Sequence, residues 1–167
     1  ERRTQVQWAF QNGDQGLENS PAAIQSFFNT LQTPPGWIDF ELVEEGVSFI
    51  HGLGITAGYV LRDLALMGGY MLSGFNQSLV MTGALNKGTA QRIAETGKWW
   101  IDCTEHQGMR PFGPGYKTTL QVRMVHALVR RGLDKHKDWD HSHWGLPLSQ
   151  IDMVATYLGF SVVMLVG

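Results

Sequence analysis

The stretch "VRMVHALVRR" at residues 122–131 sets one histidine among valines and leucines, with an arginine three residues before it and another four after. On an α-helix such positions share a face. Arg123, His126 and Arg130 therefore form one stripe, with Val122, Val125 and Val129 beside it. Two chemistries fit. A core histidine needs only a backbone carbonyl, while arginine stems run over apolar surface and reach water. A neutral imidazole is also a ligand for a metal or a haem iron, and nearby guanidinium groups would neutralise anions such as haem propionates. The stripe alone leaves both open.

A second stripe lies upstream. On a helix through "TAQRIAETGKWWIDCTE", Arg92, Thr96, Trp99 and Cys103 share a face, and Glu95 stands one turn after Arg92. A buried arginine or threonine there would need partners; the plainer alternative is an Arg92–Glu95 pair at the surface. Among the other histidines, His141 and His143 form an H-x-H with Asp138 and Asp140 nearby. A non-haem metal site is built from such groups, but an H-x-H on a loop is a weak signal and solvated loop residues are the plainer reading. His51 sits on an apolar helix face and reads as a core histidine. His106 reads as a helix C-terminal residue complementing the dipole. No glycine-rich phosphate loop, G-x-S-x-G elbow or CxxC pair is present.

The elements that would position these groups are helical. "NSPAAIQSFFNTL" opens with a cap-like Asn-Ser and Pro21 in the first turn. "TPPGW" breaks that helix, and Asp39 caps the next through Phe40, Val43, Val47 and Ile50. Gly52, Gly54 and Gly58 interrupt it before a further apolar stretch from Tyr59 to Val80. Those glycines mark helix ends and tight packing, or let a helix or flat cofactor approach the backbone. Helices follow over Thr89–Glu105 and Lys117–Arg131, separated by the "RPFGPGYK" loop. After the polar loop "LDKHKDWDHSHWGLPLSQ", a last apolar helix runs from Asp152 to Leu165. No useful strand alternation or internal repeat occurs. The chain reads as all-α.

With 167 residues, 43% of them hydrophobic, the chain is long enough for a single domain over residues 1–167 with a sizeable core. A net charge of −2 gives no electrostatic case for nucleic acid or an anionic membrane. The lone Cys103 excludes an internal disulfide and any CxxCH haem attachment, and reads as a small buried residue. "ERRTQVQWAF" lacks the apolar core of a signal peptide. The stretch from Ile55 to Val80 is interrupted by Arg62, Asp63 and Asn76 and is not a membrane span. The apolar ending "ATYLGFSVVMLVG" leads us to expect an incomplete fragment of a larger domain.

Several segments occur together in order: "WIDFELVEEG", "RIAETGKWW", "VRMVHALVR" and "HWGLPLSQIDMVATYLGFS". With their "HAxVR" and "PxxQxD" patterns they resemble the latex clearing proteins, and the wider oxygenase superfamily that contains the mycophenolic-acid oxygenase B type. The resemblance runs from about Gly13 to the C-terminus. It implies a globin-like helical bundle around a non-covalent haem b, with His126 on the proximal iron ligand. It places Arg92 and Thr96 on an arginine and a threonine close to the haem. Arg123 and Arg130, from their helix stripe, are candidate propionate or structural partners.

The chain departs from that pattern twice. Glu95 stands where latex clearing proteins carry a lysine able to reach the iron, and pairing with Arg92 is expected to hold it off the metal. A catalytic glutamate expected upstream has no match around Phe75 to Ser78. The reading is a haem b-dependent oxygenase with dioxygen as co-substrate and a small or polymeric apolar unsaturated substrate, isoprenoid in the characterised relatives. Arg92, Thr96 and Glu95 are its candidate catalytic residues. The alternatives are a non-catalytic haem-binding or helical interaction domain, and a non-haem metal site at His141 and His143.

Overall fold

Asp39 does what its position predicts. Its carboxylate accepts from the backbone N–H groups of Glu41 at 2.9 Å and Leu42 at 3.1 Å. That caps helix α2 (Phe40–Gly52). The preceding helix α1 (Ala22–Gln32) starts differently, because Pro21 is its cap residue and no side chain caps it. The expected Asn-Ser cap is not made; instead Gln25 Nε2 reaches back to the carbonyls of Ser20 at 2.8 Å and Glu18 at 3.0 Å. The structure is a computed structural model. It describes residues 6, 8–10, 17–71, 73–84 and 88–167, with the side chains of residues 73–75 and 89 left aside.

Further helices follow along the chain. Helix α3 begins as Ile55–Val60, widens to a π-helix over Leu61–Leu66 and closes with Met67–Gly69. After it come α4 (Ser73–Met81), α5 (Thr89–Thr104), α6 (Pro114–Asp134), α7 (His141–Trp144), α8 (Gln150–Phe160) and α9 (Val162–Val166). No strand occurs among the described residues, so the class is all-α. Helix α6 begins three residues before the expected Lys117, at Pro114. Proline suits a first helical position, where the N–H it lacks has no partner anyway. The expected helix from Asp152 to Leu165 is two helices broken at Ser161, whose Oγ donates back to the Tyr157 carbonyl at 2.7 Å.

The chain divides into two compact units. The first comprises Glu1–His51 and Lys98–Gln121, the second Gly52–Gly97 and Val122–Gly167. In the first, Ala9, Phe10, Leu17, Phe28 and Leu120 form the core, with Ile24, Leu31, Phe112 and Tyr116 packed on it. Phe10 and Phe28 meet edge to face at 5.2 Å. Gly115 permits the close approach of α5 to α6, since a Cβ there would stand 2.5 Å from the Cys103 Cα. At Gly52, Gly54 and Gly58 a Cβ would meet nothing within 4 Å, so tight packing is not their role; Gly54 has φ +56° at the break before α3.

In the second unit, α8 and α9 pack against the π-helical part of α3. Ala57, Leu61, Leu133, Trp139, Pro147 and Met164 are buried. Helix α8 carries a complete capping box: Ser149 Oγ accepts from the Asp152 N–H, and the Asp152 carboxylate accepts from the Ser149 N–H.

Candidate functional site

His126 lies in the part of α6 that belongs to the second unit, and it is half-buried. Its Nδ1 is buried with no hydrogen-bond partner among the described residues. The backbone carbonyl that would satisfy a core histidine is therefore not supplied. Burial, and then the charge of Arg130, push the His126 imidazolium below the usual histidine range. Its neutral form prevails at pH 7, and that is the form with a lone pair for a metal.

Arg130 has a definite task. Its Nε and Nη2 both donate to the Leu148 carbonyl, at 3.1 and 2.6 Å. Leu148 has φ +47°, a left-handed conformation that side chains rarely adopt, so the guanidinium pins an unfavourable turn. The arginine of "HAxVR" and the loop of "PxxQxD" are thereby joined. Arg123, by contrast, is exposed.

On α5, Arg92 and Thr96 fall in the second unit, Trp99 and Cys103 in the first. Among the described residues Arg92 Nε is buried and has no hydrogen-bond partner. The expected Arg92–Glu95 pair does not form. Glu95 is exposed, and its Oε1 accepts from Gln91 Nε2 at 3.1 Å, one turn earlier on the solvent side. Thr96 is half-buried. Arg92 and His126 thus each hold a buried polar atom without a hydrogen-bond partner among the described residues.

The remaining histidines take other roles. His51, expected in the core, is exposed at the end of α2. His106 lies just past α5, with Nδ1 2.5 Å from Glu44 Oε2. His141 and His143 are exposed on α7, which Asp140 caps through the N–H groups of Ser142 and His143. Among the described residues no three or more of His, Cys, Asp and Glu converge on one point, so a three-ligand non-haem site at His141 and His143 is not assembled.

Sequence reasoning passed over the polar cluster of the first unit. Asp102 is buried on α5 and accepts from Lys98 Nζ at 2.5 Å and from Thr118 Oγ1 at 2.7 Å. Trp99 Nε1 donates to Thr119 Oγ1 at 2.9 Å. Burial pushes the Cys103 thiol up, which favours its protonated form. The signal was the Lys98–Asp102 spacing of four residues and the Thr-Thr pair facing it, legible only once α6 is known to begin at Pro114.

Comparison with known proteins gives one informative likeness. The chain is 27% identical over 165 residues to a rubber oxygenase of Streptomyces sp. (strain K30), an alignment covering 90% of this chain. It spans 37% of that protein's length. No protein-family model matches the chain, and no solved structure matches it. The relationship to the latex clearing family is distant.

The chemistry of the single residue His126 is that of a haem ligand. A neutral histidine in an apolar helix suits the iron. The buried, unpartnered Arg92 Nε suits an anionic or oxygen acceptor.

Proposed function

We propose that this chain is the haem-holding part of a haem b oxygenase that acts with dioxygen on an apolar, unsaturated substrate of isoprenoid type. The observation that carries this reading is His126, kept neutral by burial while its buried Nδ1 finds no partner among the described residues. The distant likeness to a rubber oxygenase supports the oxygenase class. When bound, haem b supplies an iron centre able to take up dioxygen.

The chain's own residues do the rest. His126 holds the iron, and Arg130 is a positioning residue that fixes the Leu148 turn and adds to burial in disfavouring the imidazolium. Arg92 offers a buried N–H to a negatively charged or oxygen acceptor, with Thr96 one turn along α5. Arg123, exposed on the same helix as His126, would be a partner for a haem propionate. Glu95 faces Gln91 and solvent, so it supplies no ligand to iron.

That last point favours a second reading, a haem-binding domain without turnover, because the position of the family lysine is vacated. Absorption spectroscopy tests the first step. The chain reconstituted with haem should show a Soret band, and His126→Ala should lose most of it while far-UV circular dichroism keeps its helical signal. A wild-type chain that takes up no haem would sink both readings. Oxygen-consumption assays on unsaturated hydrocarbons then separate the oxygenase from the non-catalytic domain.

A further inference from the structure

The first unit contains a half-enclosed pocket of about 530 Å³, lined by the end of α1, the loop that follows it and the segment before α6. This volume lies within the roughly 300–1,000 Å³ of small-molecule sites. Its surface is mainly carbon, from Leu31, Ile38, Phe40 and Met109. No charged residue lines it. Its hydroxyls are largely committed: Tyr116 donates to the Leu31 carbonyl at 2.7 Å and Thr30 to the Ser26 carbonyl at 2.9 Å. Among the described residues only the Thr33 hydroxyl in the wall has no protein partner.

The pocket is also held open. Pro34, Pro35 and Pro111 contribute fixed backbone to its wall. The Tyr116–Leu31 bond ties α6 to α1, and both residues pack on the phenylalanine core. Such walls cannot fold inward to cover the apolar surface they expose, so a ligand gains by covering it.

We propose that this pocket binds an uncharged, hydrocarbon-rich small molecule carrying at most one polar group, which Thr33 would meet. A cation would lose its hydration and find no counter-charge there, and the Arg110 guanidinium beside the wall is already held over the Phe40 ring at 4.7 Å. The site stands apart from the haem reading and does not depend on it.

Fluorescence titration of the full chain with N-phenyl-1-naphthylamine, an uncharged apolar probe, tests the proposal. One saturable site is expected. Ile38→Glu and Met109→Glu, each placing a carboxylate in the wall, should weaken it about tenfold or more. Leu128→Glu, on an exposed apolar side chain of the second unit, should leave it unchanged. Circular dichroism checks that the variants fold. Should a wall variant unfold, photolabelling the wild-type chain with a diazirine-bearing hydrocarbon decides the matter, with crosslinks expected within residues 30–40 and 109–116. Crosslinks elsewhere, a probe affinity indifferent to both wall variants, or no saturable binding would overturn the proposal.

Discussion

Arg130 and Glu95 show how little residue type says without geometry. Both are charged, both lie within a turn of a candidate ligand or partner, and the structure gives them opposite uses. The Arg130 fork is spent on one carbonyl, that of Leu148, across the left-handed turn. Arg130→Ala should cost about 1.5–3 kcal/mol, the range for hydrogen bonds from a charged donor, and urea unfolding measures it. Arg130→Lys should recover only part, since an ammonium cannot offer two parallel N–H groups. A loss below about 0.5 kcal/mol, the level of an ordinary surface substitution, would mean that the turn holds itself. Glu95 is exposed and, among the described residues, tied only to Gln91. Glu95→Gln should therefore leave the spectrum and carbon monoxide uptake of the haem-loaded chain unchanged. A shifted Soret band in that variant would show the carboxylate reaching the iron after all.

At the scale of elements, the α5–α6 pairing of the first unit rests on Asp102. Its carboxyl is held below the ordinary range chiefly by the Lys98 hydrogen bond and also by Thr118, against the opposing pull of burial. The ionised form is thus favoured more in the folded chain than in the unfolded one. The resulting stability is complete above the unfolded carboxylate value of about 3.9 and is lost as pH falls through the lower folded value. Asp102→Asn should flatten the acid side of the stability curve, read as urea midpoints across that window. Parallel curves for variant and wild type would remove Asp102 from the account of acid stability.

Much at this scale was legible beforehand. The 3.6-residue spacing located the helices, and Asp39 marked the start of α2 because its chemistry is local. Breaks at Ser161 and the start at Pro114 were harder, since each depends on whether a side chain or a missing N–H wins against the helix ladder. The expected Arg92–Glu95 pair fails for a similar reason. Spacing allowed Glu95 either Arg92 or Gln91 as partner, and only burial of the Arg92 Nε decides between them.

For the molecule as a whole, the two units differ in how well they bury their apolar residues. The first has a contiguous core around Phe28, which is fully buried. The second leaves Leu128, Leu146, Ile151 and Tyr157 each at least 65% exposed, and it also holds the unpartnered nitrogens of Arg92 and His126. A ligand that binds the folded form stabilises it by about 2.7 kcal/mol at a hundred times its dissociation constant, and the benefit falls on the elements it touches. Haem should therefore raise amide protection locally, and hydrogen exchange with mass-spectrometric readout can see it. Protection should grow over residues 92–97 and 122–133, while residues 22–32 and 114–121 of the first unit stay as they were. His126→Ala should abolish the gain. The opposite pattern, protection confined to the first unit, would place the cofactor away from His126 and retire the site proposed for it.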